Sequence, residues 1–270
     1  MKVQRLCKWG AAIMLSVGVC GAAGAVEVYA SYNGSQRGVT QRDVNTLNQY
    51  GYFDTGISAS GITVADNDDI YLASGNHLRR YDSRGALLVD MTFPDRAINY
   101  GDVAISGNTI VAAYDGSQLG FTIRDAETLE QHAYCQTGVQ ASGIAVDAYG
   151  AVYLAAGNHL LKYSTGCVLL ADMSFPDPSI QYTGVAVRGD TLYASYTGSQ
   201  LGFTTRDTRT LAQRAYCTTG VKAEGIAVDG GDGIYLAAGN HLYKYSASCR
   251  QLVNMTFPIP SINYTSVYVK

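Results

Sequence analysis

Short apolar runs alternate with polar, glycine-rich turns along the whole chain. Stretches such as "VEVYASY" (26–32) and "GIAVDAYGAVYLAAG" (143–157) show four to seven apolar or alternating positions and then Gly, Asn or Asp. No stretch keeps a helical period of apolar residues. Runs of this length that are rich in Val, Ile and Tyr favour β-strands, so the pattern predicts an all-β chain of many short strands.

The pattern of strands and turns repeats every 82 residues. The same sixteen-residue stretch returns twice without an insertion, as "YNGSQRGVTQRDVNTL" (32–47), "YDGSQLGFTIRDAETL" (114–129) and "YTGSQLGFTTRDTRTL" (196–211). Each period also divides into two halves with the same order of apolar runs and turns. A half period of about 41 residues holds four short strands, which is the size of one propeller blade.

The phase of the two ends predicts a closed ring. Six such halves fill residues 26–270. The chain enters at a second-strand sequence, "VEVYASY", and ends on a first-strand sequence, "TSVYVK" (265–270). We therefore expect the C-terminal strand to complete the N-terminal blade, because closure removes the open sheet edges of a linear array. The predicted fold is a six-bladed β-propeller with a three-fold internal repeat of two blades.

Three of the six halves resemble a known repeat. "SGIAVDAYGAVYLAAGNHLLKY" (142–163) is similar to an NHL repeat, which runs Gly-Ile-Ala-Val-Asp, a glycine turn, a strand and then Gly-Asn-His. The other three halves keep only the strand skeleton of YVTN-like and NHL-like propellers. The acidic residue that often precedes Gly-Asn-His in the family is here Ser74, Ala156 or Ala238. The resemblance implies a propeller fold, but not the contact that the family makes through that acid.

The first 25 residues are predicted to be a signal peptide. A basic start is followed by the apolar run 11–19, and Ala23-Gly24-Ala25 has the small residues that signal peptidase recognises. The run is too short for a membrane span. We expect an exported chain, periplasmic or secreted, that begins near Val26 and does not insert into a membrane.

Charge limits the classes of partner. Without Lys2, Arg5 and Lys8 the chain has 16 basic and 22 acidic residues, a net charge of about −6. Nucleic acids and anionic membranes attract clustered positive charge, so neither is expected as a partner. No sequence motif indicates a cofactor, and a monomer is expected.

Three of the four histidines stand in register at His77, His159 and His241. Each follows a Gly-Asn pair typical of a two-residue hairpin turn, and the three turns are expected about 120° apart around the ring. A shared metal requires three ring nitrogens at about 2 Å from one point. We therefore interpret the histidines as residues that stabilise turns. A histidine-bound metal, as in the NHL-like lyases that amidate peptides, is the alternative that the resemblance implies.

An Arg-Asp pair ends the third strand of each odd-numbered half. Adjacent strand residues face opposite sides, so Arg42, Arg124 and Arg206 are expected to pack between blades while the following aspartates cap a turn. A ring of three arginines that binds an anion is the alternative.

The candidate ligand-binding residues lie where turns and blade-to-blade segments share one face. Tyrosine beside an amide suits the recognition of a peptide or a sugar, since it offers area and a hydroxyl. The same tyrosines would instead serve packing if they fill the channel. The predicted ligand-binding residues are Asn99, Tyr100, Gln181, Tyr182, Asn263, Tyr264, Gln36, Gln118 and Gln200.

Four cysteines follow the predicted signal peptide. Repeats two and three have both members of a pair, and repeat one has Phe53 and Gly85 at those positions. The joint loss predicts disulfides Cys135–Cys167 and Cys217–Cys249, which an exported protein permits. The partners are expected near opposite ends of their strands, so strong blade twist must bring the Cα atoms within about 7 Å. Free buried thiols are the alternative.

Function is predicted to be recognition rather than catalysis. No Gly-x-Ser-x-Gly, Cys-x-x-Cys or His-Glu-x-x-His motif is present. Three-fold sameness favours a repetitive binding surface that gains avidity. We expect an exported binding or scaffold module for a protein, peptide or glycan. The alternative is a metal-dependent hydrolase or lyase in the central channel, where Asp102 and Glu224 are the acidic candidates.

Overall fold

A computed structural model describes residues 26–270 as 24 strands in six four-stranded antiparallel sheets. The predicted signal peptide, 1–25, lies outside the described residues. Within the described part no helix has the length and hydropathy needed to span a membrane. The all-β prediction is therefore confirmed.

The strands are short, as the spacing of turns predicts. Their bounds are β1 Glu27–Asn33, β2 Gly38–Asp43, β3 Gln49–Asp54, β4 Gly61–Val64, β5 Ile70–Ser74, β6 His77–Tyr81, β7 Leu87–Thr92, β8 Ile98–Ser106, β9 Thr109–Gly116, β10 Gly120–Asp125, β11 Gln131–Gln136, β12 Gly143–Val146, β13 Val152–Ala156, β14 His159–Tyr163, β15 Leu169–Ser174, β16 Gln181–Arg188, β17 Thr191–Thr197, β18 Gly202–Asp207, β19 Gln213–Thr218, β20 Gly225–Val228, β21 Ile234–Ala238, β22 His241–Tyr245, β23 Gln251–Thr256 and β24 Asn263–Val269.

The six sheets are the blades of a propeller. From the innermost strand outward, blade 1 is β24-β1-β2-β3, and blades 2 to 6 are the consecutive quartets that start at β4, β8, β12, β16 and β20. The innermost strands contact one another in that order around the axis, and β24 contacts β4. The ring is therefore closed, and it has the six blades that the half period predicts.

Blade 1 joins the two ends of the described chain. β24 pairs antiparallel with β1, from Val28 opposite Val269 to Asn33 opposite Asn263. The Lys270 backbone N–H donates to the Glu27 carbonyl at 3.0 Å. The prediction that the C-terminal strand completes the N-terminal blade is confirmed.

The hydrophobic core is divided among the spaces between blades. Each of six clusters of buried residues is built from two neighbouring blades, as in the cluster that packs Val28 and Tyr264 of blade 1 against Tyr235 and Leu242 of blade 6. Side chains of a strand alternate between its two faces, so each blade contributes to the cluster on either side. Blade-to-blade packing therefore holds the ring together.

Both predicted disulfides are present. Cys135 near the end of β11 is bonded to Cys167 in the β14–β15 turn, with the Cα atoms 5.2 Å apart, and Cys217 is bonded to Cys249 with 5.5 Å between the Cα atoms. Each bond joins an odd-numbered blade to the next even-numbered one. The outer strand of one blade thus reaches the far turn of its neighbour, as strong blade twist requires.

Repeat one fills the place of the disulfide differently. Gly85 has a φ of 84°, and a Cβ on it would lie 2.5 Å from the ring Cγ of Phe53. Cys167 and Cys249 have the same left-handed backbone, with φ values of 63° and 66°. An aromatic ring over a glycine therefore replaces a cross-link between blades 1 and 2.

Candidate functional site

One face of the ring bears the second-to-third-strand turns and the segments that cross from blade to blade; we call it the crossing face. The Gly-Asn-His turns of blades 2, 4 and 6 lie on it. Gly75, Gly157 and Gly239 have φ values of 54°, 57° and 55°. A left-handed residue at the first central position of a two-residue hairpin is the requirement of a type II′ turn, and glycine adopts it without strain.

The Gly-Asn turns anchor the crossing segments. The carbonyl oxygen of Gly157 accepts a hydrogen bond from the Tyr182 N–H at 2.7 Å, and that of Asn158 accepts one from the Phe175 N–H at 2.7 Å. The same two bonds recur in the other repeats. The turn therefore fixes the start of the next blade, which explains why the chain repeats it.

The histidines pair with the outermost strand of their own blade. The Nδ1 atoms of His77 and His159 lie 2.7 Å from carboxylate oxygens of Asp90 and Asp172. His241 has Asn254 as its partner at 2.9 Å. Each imidazole thus ties the start of the third strand to the fourth. Among residues 26–270, no group of three or more His, Cys, Asp or Glu side chains is placed to hold a metal ion.

Tyr100, Tyr182 and Tyr264, the tyrosines expected at the channel entrance, serve packing instead, which is the alternative given above. Tyr100, Tyr182 and Tyr264 are each 1% exposed, because they point between blades. Their hydroxyls contact the Nη2 atoms of Arg124, Arg206 and Arg42 at 2.9, 3.0 and 2.6 Å respectively. The preceding amide residue faces the opposite side of the strand. The amide is therefore exposed where the tyrosine is buried.

Of the predicted ligand-binding residues at the starts of the innermost strands, only the three amides are exposed: Asn99, Gln181 and Asn263. They stand at the start of the innermost strands of blades 3, 5 and 1. Each side-chain oxygen lies above the glycine of a Gly-Asn turn, 3.9, 3.3 and 3.8 Å from the position that a Cβ would take there. We call these three residues the rim amides. They repeat once per two blades.

The Gly-Ser-Gln turns hold the other predicted glutamines. Gln36, Gln118 and Gln200 are all exposed. The Oε1 atom of Gln118 accepts hydrogen bonds from the Tyr134 hydroxyl and, at 3.0 Å, from Gln136. Gln200 accepts one from the Tyr216 hydroxyl. In repeat one the equivalent tyrosine, Tyr52, is 51% exposed.

The buried arginines are structural. Arg206 is 3% exposed, and its guanidinium donates to Thr204, to the Leu211 carbonyl and to Gln213 as well as contacting Tyr182. Arg42 and Arg124 repeat these bonds. Each guanidinium is buried within its own blade, so the alternative of an anion-binding ring is wrong. The following aspartates accept hydrogen bonds from the turn backbone, as predicted.

The central channel is a cavity of about 170 Å³ lined by the six innermost strands. Asp102 lies in its wall and accepts hydrogen bonds from the Val103 and Ile144 N–H groups, both at 2.9 Å. Burial raises the pKa of Asp102 to about 7. Its carboxylate therefore connects the innermost strands of blades 3 and 4.

The channel wall differs among the three repeats. Gly184 and Ser266 occupy the positions equivalent to Asp102. Glu224 also lines the channel, 3.4 Å from Lys222, where the other repeats have Ser60 and Ser142. Those two serines donate to the carbonyl oxygens of the buried tyrosines at 2.8 and 2.7 Å. Two acidic side chains thus break the three-fold symmetry.

Comparison with known proteins supports the fold. No protein-family model matches the chain, and no curated protein matches it either. A crystal structure of a protein of unknown function from Bacteroides caccae is similar, with a TM-score of 0.71 and 9% sequence identity, over 91% of this chain and 99% of that one. At that identity the likeness shows the fold alone. The chain is a six-bladed β-propeller.

Proposed function

We propose that this protein is a non-catalytic recognition module that binds a protein, peptide or glycan through its crossing face. The propeller is a rigid scaffold, and its hydrogen-bonded turns hold exposed side chains in fixed places. Loops on rigid scaffolds are where binding residues concentrate. The resemblance of blades 2, 4 and 6 to NHL repeats also favours this class of function.

The rim amides are the observation that carries the proposal. Asn99, Gln181 and Asn263 are uncharged and exposed, and they occupy the same position in the three repeats, although Gln181 also donates to the Pro178 carbonyl at 3.0 Å. An amide offers two donors and one acceptor, which matches the backbone of a peptide or the hydroxyls of a sugar. Three equal positions on one face would add avidity for a repetitive or branched ligand.

We further propose that the protein works outside the reducing cytosol. Two disulfides between blades are stable in oxidising compartments and rare in reducing ones. The sequence of residues 1–25 has the features of a signal peptide, which agrees with this compartment. Both observations support periplasmic or secreted placement.

A glycan and peptide array tests the proposal. Residues 26–270 are screened as wild type and as the triple variant Asn99→Ala, Gln181→Ala, Asn263→Ala. The control replaces Asn45 and Asn48, two exposed amide residues on the opposite face, with alanine. We expect a ligand that the wild type and the control bind and the triple variant loses. Binding that survives in the triple variant would contradict the proposed face.

The channel acids favour a second candidate, a metal-dependent hydrolase or lyase. Asp102 has a raised pKa, and the two acids differentiate the repeats as active-site residues do. Metal analysis of the dialysed protein separates the two functions. Stoichiometric zinc or calcium that is lost in Asp102→Asn would favour the enzyme, and metal-free protein that binds its ligand fully would favour recognition.

A further inference from the structure

A cleft of about 610 Å³ opens between blades 5 and 6 on the face opposite the crossing face. First-to-second-strand and third-to-fourth-strand turns form this face. We call it the blade 5–6 cleft. Its polar lining includes Arg188, Asp190, Tyr193, Thr205, Arg214 and Asp232. The internal repeat places two equivalent positions elsewhere in the ring, between blades 1 and 2 and between blades 3 and 4.

Between blades 1 and 2 this position is closed by direct contacts. Lys270, the equivalent of Arg188, forms an ion pair with Asp68 and donates to the Asp66 carbonyl at 2.8 Å. Tyr29, the equivalent of Tyr193, donates its hydroxyl to Glu27 at 2.7 Å. Lys270 and Tyr29 therefore both have partners from the chain itself.

Between blades 3 and 4 the position is closed by packing. Val111 and Ile123 stand where the blade 5–6 cleft has Tyr193 and Thr205, and they are buried in the cluster between the two blades. Ser106 donates to the Asp147 carbonyl at 3.1 Å. Ser106, Asn108 and Gly150 stand where the cleft has Arg188, Asp190 and Asp232, so this copy has no charged side chain at those three positions.

In the blade 5–6 cleft Arg214 is already paired, because it donates to Asp190, Thr191 and Asp207, whereas Arg188 is not. The Arg188 guanidinium lies over Gly230, with Nη1 3.4 Å from the position of a Cβ there, and it forms no ion pair or hydrogen bond with residues 26–270. Ala247 stands where the other repeats have Ser83 and Thr165, which leaves more room. The cleft is thus open in this one copy.

Tyr193 is the buried group aimed into the cleft. Its side chain is 5% exposed, and its hydroxyl has no hydrogen-bond partner in the described part of the chain. Burial raises the pKa of Tyr193, the charge of Asp232 adds to the rise, and Arg188 and Arg214 oppose it.

We propose that the blade 5–6 cleft binds a neutral sugar residue. Arg214 is neutralised by Asp190 and Asp207, and Arg188 and Asp232 leave one positive and one negative charge, so neither an anion nor a cation is favoured. Arg188 can only donate hydrogen bonds, Asp232 can only accept them, and the hydroxyls of Tyr193 and Thr205 do either. A ligand with adjacent hydroxyl groups satisfies all of them, and the volume is that of a small-molecule site.

Saturation-transfer NMR with defined probes tests the assignment. The probes are glucose, galactose, mannose and N-acetylglucosamine, with glycine as a zwitterion and inorganic phosphate as an anion. We expect at least one sugar to bind. Tyr193→Phe should weaken it by about tenfold, because the site loses one hydrogen-bonding hydroxyl. Ala247→Thr should abolish binding, since it copies the closed position between blades 3 and 4.

Matched variants separate a binding role from a structural one. Tyr29→Phe makes the same change in the closed copy and should leave sugar affinity unchanged. The rim-amide triple variant should also leave it unchanged, which keeps this test independent of the function proposed for the crossing face. The assignment is overturned if no sugar binds, if only glycine or phosphate binds, or if Tyr193→Phe and Ala247→Thr keep wild-type affinity while folded.

Discussion

Repeat one has Phe53 and Gly85 where the other repeats have a disulfide. Putting these residue types in place of a disulfide separates the stability that comes from the cross-link from the stability that comes from side-chain packing. Two double variants serve: Cys135→Phe with Cys167→Gly, which copies Phe53 and Gly85, and Cys135→Ser with Cys167→Ser. Both remove the bond between blades 3 and 4. Only the first puts an aromatic ring over a glycine, as the structure shows between blades 1 and 2.

The expected cost follows from the structure. The bonded cysteines are 32 residues apart, so loss of the cross-link alone should lower the free energy of unfolding by roughly 4 kcal/mol. Cys167 has a φ of 63°, a conformation that costs an L-residue about 1–2 kcal/mol and glycine almost nothing. The phenylalanine ring also restores apolar burial. The Phe/Gly variant should therefore retain about 1–3 kcal/mol more stability than the Ser/Ser variant.

Chemical denaturation in guanidinium chloride under oxidising conditions measures the ranking. We expect the free energy of unfolding to be highest for the wild type, lower for Phe/Gly and lowest for Ser/Ser. Added reductant breaks Cys217–Cys249 in all three proteins but Cys135–Cys167 only in the wild type, so only the wild type should lose the stability that this bond provides. A Phe/Gly variant less stable than Ser/Ser would refute the reasoning that repeat one substitutes packing for the cross-link.

Two further predictions concern the seam and the channel. Tyr264→Phe leaves a donor of buried Arg42 without its partner, so the free energy of unfolding should fall by about 1–3 kcal/mol. Tyr182→Phe removes the same contact inside blade 5, so thermal denaturation should show an equal loss of stability. Unchanged stability in either variant would contradict the buried network. The folded pKa of Asp102 is raised from 3.8 to about 7, so its stabilising contribution is complete below about pH 4 and is lost as pH rises through about 7. Relative to Asp102→Asn, the wild-type free energy of unfolding should fall by about 1.4 kcal/mol per pH unit across that window. Urea denaturation at a series of pH values measures this, and the same pH dependence in both proteins would contradict it.

The architecture could be predicted from the sequence because its cause is periodic. An exact 82-residue repeat and a first-strand sequence at 265–270 are compatible with few folds other than a ring of six blades. The paired loss of Cys135 and Cys167 equivalents in repeat one correctly indicated their bonding. What the pattern could not give was the twist that brings the two cysteines to 5.2 Å, since twist is a property of the whole blade.

The candidate site was predicted less well, for physical reasons. Tyr100 was expected at the channel entrance, but strand alternation sends it to Arg124 and exposes Asn99 instead. The partner of His77 was missed, although an acid thirteen residues later, Asp90, was a usable signal. The blade 5–6 cleft was invisible in sequence because it depends on which polar groups find partners, and only coordinates show that.

Deletion of 265–270 with thermal unfolding followed by circular dichroism tests the closed ring most directly. These residues pair with β1 and bury Val267 and Val269 in the seam between blades 6 and 1. We expect a large fall in the melting temperature and a broader transition, because blade 1 loses its innermost strand and blade 6 loses the side chains that pack against it. An unchanged, equally cooperative melt would show that the ring does not depend on this strand.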